Sequence, residues 1–169
     1  LPSDNYYADT WDIPDGIVLH ASEQIGWDNP IEWSNQITFN ALEADPNSDS
    51  YHIIVDPNGV WQLVPMGKRS IVRGRHVEGG NTGKVGVALA GLTARFEQLV
   101  ASGKINDAAF TDEVNHAVDV VIDIMVQYNI PIDRVQPHYR LNPTLRTDPG
   151  VRFFDFLKIG DNWVNVLAH

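Results

Sequence analysis

Between residues 136 and 150 the chain gathers an imidazole at His138, guanidinium groups at Arg140 and Arg146, and a carboxylate at Asp148. Prolines at 137, 143 and 149 interrupt the run, so it is expected to be neither a regular helix nor a strand. His138 and Asp148 are ten residues apart and converge only if the loop doubles back, which Pro143 and the turn-forming Asp148-Pro149-Gly150 favour. An imidazole nitrogen and a carboxylate oxygen are two of the three protein ligands that an open catalytic zinc site takes, and His20 is the best donor of the third. Two plainer roles stand beside this one. Asp148 precedes a proline and an apolar stretch at 151–157, the position of a helix N-cap. His138 taken alone would equally suit the surface or a hydrogen-bonded core position.

The elements that must position these groups can be read from patterning. Residues 16–20 are apolar up to His20, the signature of a central strand covered on both faces, and His20 falls where that strand emerges into a loop. Open sheets carry functional groups at such ends, although a histidine there can also be satisfied by backbone alone. Asn29-Pro30 starts a helix that should run to about 43. Residues 51–55 and 60–64 flank Asp56-Pro57-Asn58-Gly59 as a hairpin, with Tyr51 and His52 pointing to opposite faces. Residues 67–84 are rich in Gly, Arg and Lys without helical period and read as a long functional loop; their glycines match no phosphate-binding fingerprint.

Residues 85–91 form another buried strand, whose small side chains imply close packing against a helix or a ligand. The segment 111–128 is the clearest helix. Thr111 is its expected cap, Asp112 and Glu113 complement its dipole, and Val114, Ala117, Val118, Val121, Ile122 and Met125 make one apolar stripe. His116, Asp119, Asp123 and Gln127 fall opposite and read as solvated surface rather than a metal site. Alternating strands and helices indicate a single α/β domain over 1–169, a central mixed β-sheet flanked by helices, with 1–16 as an arm laid across it.

Composition narrows the function. A net charge of −10 with only twelve scattered Lys and Arg offers no basic stripe for nucleic acid, and equally no attraction to anionic membrane surfaces. The absence of cysteine removes disulfides, thiolate nucleophiles and cysteine-rich zinc knuckles. The sequence shows no apolar run of membrane-spanning length, and a start at Leu1 suggests a processed or excised domain.

Five stretches in order resemble the type 2 N-acetylmuramoyl-L-alanine amidases, which include phage lysozyme-type amidases and the peptidoglycan recognition proteins. These are His20 at a strand end, Tyr51-His52 before the hairpin, Gly74-Arg75-His76 with Asn81, the strand at 85–91, and His138 followed by Arg146-Thr147-Asp148-Pro149-Gly150. Each motif is weak; the series, spanning 17–156, is specific. The resemblance implies a zinc amidase acting on peptidoglycan or muropeptides at the bond between N-acetylmuramic acid and L-alanine. His20, His138 and Asp148 would be the metal ligands, Tyr51 and Arg146 catalytic, and His76 and Asn81 part of a substrate-binding groove. It further implies a monomer, secreted or facing the cell wall, as a phage lysis enzyme would be.

Two departures matter. Some members carry a glutamate general base where this chain has Ala88, leaving proton handling to water, the free oxygen of Asp148 or Tyr51. Arg146 stands where lysine is common; it keeps the charge but cannot release a proton. The rivals are a non-catalytic peptidoglycan receptor, which the complete ligand set disfavours, and a zinc hydrolase of another amide.

Overall fold

The computed structural model describes residues 7–21, 50–77, 79–104, 107–144, 146 and 148–159. In chain order its elements are β1 (Tyr7–Asp12), β2 (Gly16–Ala21), β3 (Ile53–Asp56), β4 (Gly59–Gln62), β5 (Ile71–Arg73), β6 (Lys84–Leu89), α1 (Leu92–Ser102), α2 (Ala108–Tyr128), a single 3-10 turn, β7 (Val135–Pro137), α3 (His138–Leu141) and α4 (Val151–Ile159). The helix expected over 29–43 lies outside the described residues. Among those residues no helix is long and apolar enough to cross a membrane.

Five strands form a mixed sheet in the order β4-β3-β6-β2-β7. β2 is parallel to both β6 and β7, β3 is parallel to β6, and only β4 runs antiparallel, closing the expected hairpin with Asp56 opposite Gly59. The Asp56 carboxylate makes that turn rigid: it accepts the amides of Asn58 and Gly59 at 2.7 and 3.1 Å and the Trp61 indole N–H at 3.0 Å.

Because a strand alternates its side chains, the sheet has two distinct faces. Ile17, Leu19, Ile53, Val55, Val85, Val87 and Leu89 share a core with Phe96, Phe110, Val114, Val118, Val121, Phe153 and Leu157 of the helices. On the other face Ile54, Ala88 and Ala90 group with Tyr51, and the parallel register sets His20 beside Ala88.

The helices differ from expectation in two ways. α2 begins at Ala108, because Asp107 rather than Thr111 is its cap: the Asp107 carboxylate accepts the Phe110 amide at 2.9 Å. Thr111 instead donates its hydroxyl to the Asp107 carbonyl, and the extra turn carries Phe110 into an aromatic group with Phe96 and Phe156. The predicted stripe is otherwise buried, with Ile122 only partly so, and His116, Asp119, Asp123 and Gln127 are exposed. α1 was not expected at all. Its signal is Leu92, Phe96 and Leu99 at helical spacing, closed by Gly103 in the left-handed conformation at φ 70°.

Residues 67–84 are not wholly loop. β5 pairs antiparallel with β1, so Tyr7–Asp12 of the N-terminal arm is a strand of a second, two-stranded sheet. The pairing is fastened by Arg73, whose Nε and Nη2 donate to both oxygens of Asp12 at 2.9 and 2.8 Å.

The helix layer also encloses a carboxyl group. Glu113 of α2 is half-buried, and its Oε2 has no hydrogen-bond partner among the described residues. Burial, reinforced by Asp56 and opposed by Arg95, pushes its carboxyl up to about 8 from an ordinary 4.5. The folded state therefore binds an extra proton between pH 4.5 and 8, and stability falls as pH rises through that window. Glu113→Gln is expected to be nearly neutral at pH 4.5 and to stabilise by roughly 1–2 kcal/mol at pH 8, after discounting for partial exposure. Urea midpoints at the two pH values test this; an equal effect at both would contradict it.

Candidate metal centre

The centre is assembled where three parallel strands end. Leu19 of β2 pairs with Pro137 of β7, so the residue that follows each in the chain, His20 or His138, emerges at the same level. Their rings meet edge to face with centroids 4.5 Å apart. Pro137 both ends β7 and precedes α3, which corrects the expectation of a wholly irregular segment: His138 opens a one-turn helix.

Beyond α3 the loop folds back as its prolines suggested. The Tyr139 amide donates to the Asp148 carbonyl at 2.9 Å and the Arg146 amide to the Asn142 carbonyl at 3.0 Å. Thr93 of α1 donates its hydroxyl to the Pro149 carbonyl at 2.5 Å, and the Phe154 amide donates to the Gly150 carbonyl, so α4 starts beyond Asp148. The Asp148 side chain is thereby turned to the histidines. Its Oδ2 is 3.3 Å from His20 Nδ1 and its Oδ1 is 3.1 Å from His138 Nδ1.

Donor atoms of His20, His138 and Asp148 all lie within 4.8 Å of one another. His20 and His138 are buried, at 1% and 5% exposure, while the Asp148 side chain is 16% exposed. Burial raises the Asp148 carboxyl, but hydrogen bonds from His138 and His20 outweigh it and hold the group well below the usual carboxylate range. The residues fit a metal ion by distance as well as by type. Ligand arms of about 2.0–2.1 Å set tetrahedrally put neighbouring donors about 3.3 Å apart. The nitrogen-to-oxygen separations of 3.1 and 3.3 Å match such edges.

Tyr51 packs its ring against His20, centroids 4.9 Å apart, and is 6% exposed. Arg146 lies on the exposed loop two residues before Asp148. His76 and Asn81 both make hydrogen bonds within the fold. His76 is 4% exposed with both ring nitrogens engaged, on His20 and on the Lys84 carbonyl, and burial with the neighbouring His20 and His52 holds it well below the usual histidine value. Asn81 turns its side-chain oxygen to the backbone of its own loop, accepting the His76 and Val77 amides. His52, on the opposite side of the chain from Tyr51, donates Nε2–H to the Val72 carbonyl at 2.7 Å and accepts the Gly86 amide at Nδ1. Burial pulls its pKa down to about 4. The one signal for this cluster was Gly86, whose missing side chain is filled by the His76 ring rather than by a helix or a ligand.

The mixed α/β sheet thus presents, at the ends of its parallel strands, a His-His-Asp cluster able to hold a metal ion. The chain belongs to the N-acetylmuramoyl-L-alanine amidase family, whose model matches residues 10–151. A curated relative, N-acetylmuramoyl-L-alanine amidase CwlA of a Bacillus species, is 26% identical over 124 residues, 68% of this chain and 45% of its own length. The chain thus spans under half of that relative. Among solved structures, the catalytic domain of XlyA superposes with a TM-score of 0.64 at 18% identity, covering 95% of this chain and 93% of that one. Drosophila peptidoglycan recognition protein SD does so at 0.54 and 14%, covering 94% and 86%.

Proposed function

We propose that the domain hydrolyses the amide bond between N-acetylmuramic acid and L-alanine in peptidoglycan, using a zinc ion held by His20, His138 and Asp148. The observation that carries this reading is the convergence of three donors from two strand ends and a folded-back loop, at metal-ligand spacing, in a chain of the amidase family. When bound, zinc in such a donor set lowers the pKa of a water toward about 7 and polarises the scissile carbonyl. Tyr51 serves as a hydroxyl donor to the oxygen on which negative charge grows, and Arg146 as a fixed cation that cannot exchange its proton. Ala88 is fully buried beside His20, so β6 brings no carboxylate to the centre and proton transfer falls to Asp148 or Tyr51. The domain acts as a monomer on the wall, recognising it through its groove rather than through general charge.

The decisive experiment is digestion of purified peptidoglycan with and without a chelator. New alanine amines that disappear on metal removal, without new reducing sugar ends, are expected; chelator-resistant release or sugar ends would refute the proposal. Tyr51→Phe is expected to lower kcat about 10²-fold, the scale of one lost oxyanion donor, with zinc content and KM unchanged. A loss confined to KM would assign Tyr51 to substrate binding instead.

A further inference from the structure

His76 has a position that the amidase reading does not yet use. Its Nε2 lies 3.1 Å from the Lys84 carbonyl oxygen, which can only accept, so that nitrogen carries a proton. Its Nδ1 lies 2.9 Å from His20 Nε2, and in a neutral His76 ring this leaves a lone pair facing His20. The proton shared by the pair then sits on His20 Nε2, so that His20 Nδ1, the atom in contact with Asp148, is the one that gives up its proton to a metal ion. We propose that His76 is a positioning residue that fixes His20 in its Nε2–H tautomer and sets its ring plane, presenting Nδ1 to the metal ion; this rests on the zinc reading above.

The seat of His76 is built from several directions. A β-carbon at Gly86 would lie 2.8 Å from both Cγ and Nδ1 of the His76 ring, so the ring occupies space that only glycine leaves open. Asn81 Oδ1 accepts the His76 and Val77 amides at 2.9 and 2.7 Å, fixing the backbone from which the ring projects. His52 stands perpendicular to the ring at 5.7 Å and holds the Gly86 amide at 3.0 Å. His138 contrasts with His20: its Nε2 is buried without a hydrogen-bond partner among the described residues. Outer partners of metal-bound histidines set tautomer and orientation, and their loss weakens metal binding about 10- to 100-fold.

Nitrogen-resolved NMR of the zinc-loaded wild type reads the proposal directly. A proton on His20 Nε2 with scalar coupling across to His76 Nδ1 is expected; a proton on His20 Nδ1 overturns it. Zinc affinity by chelator competition supplies the second reading. His76→Phe keeps a ring but no acceptor and is expected to bind zinc about 10- to 100-fold more weakly, while His76→Gln, which restores an acceptor oxygen, recovers most of the loss. Gly86→Ala, which displaces the ring without removing it, should weaken binding in the same direction. If Asp148→Ala loses zinc but His76→Phe binds as tightly as wild type, this proposal fails alone; if the wild type takes up no zinc, the amidase reading fails and takes it along. Should His76→Phe not fold, the coupling in the wild type decides.

Discussion

Asp148→Ala is expected to lower zinc affinity by more than about 10³-fold and to bring peptidoglycan hydrolysis to background. The carboxylate is the only anionic member of the converging set, and it faces both imidazoles at once, at 3.3 Å from His20 and 3.1 Å from His138. Those contacts keep it ionised in spite of burial, so it meets a cation already charged. Asp148→Asn separates this role from a purely structural one. Asparagine keeps the size and can still cap a helix or accept a hydrogen bond, so unimpaired zinc uptake in Asp148→Asn would make the residue a turn former and sink the metal assignment. Zinc stoichiometry of the purified variants, alongside amine release, is the measurement.

Phe153→Ala is expected to destabilise the domain by about 3–5 kcal/mol, a large part of the 5–15 kcal/mol that holds a typical domain folded. Phe153 has no solvent exposure and lies 5.5 Å from Phe96 and 6.5 Å from Phe156, so truncation opens a void between α1 and α4 that stacked rings cannot readily collapse to fill. The same residue reaches the site indirectly. α4 follows directly on Asp148-Pro149-Gly150, and Thr93 of α1 holds the Pro149 carbonyl. A void between these helices loosens both ends of that tether. Urea unfolding should show a lower midpoint with an unchanged slope; a loss under about 1 kcal/mol would mean the aromatic group repacks freely.

What could be read from the sequence was what local pattern decides. β2, the Asp56-to-Gly59 hairpin and the stripe of α2 each carry their own periodicity or turn chemistry, and the structure has them. The convergence of His20, His138 and Asp148 was inferable because prolines and a strand end limit where those side chains can go. β5 was not legible, since three residues become a strand only through pairing with β1 about sixty positions earlier. The start of α2 was misjudged because Thr111 and Asp107 are both acceptable caps, and what selects Asp107 is the burial of Phe110 against distant rings. The burial of His76 was not legible for a related reason. Its glycine-rich surroundings suggest an open loop, whereas the vacancy at Gly86, on another strand, draws the ring inward.

The alternation along β6 divides its residues between two tasks. Positions 85, 87 and 89 answer to the helical core, whereas 86 and 88 answer to the histidine cluster and the His20 strand end. Packing and the histidine cluster thus place separate demands on interleaved letters of one strand, and a change at every second residue can reach the cluster while the foundations stay in place.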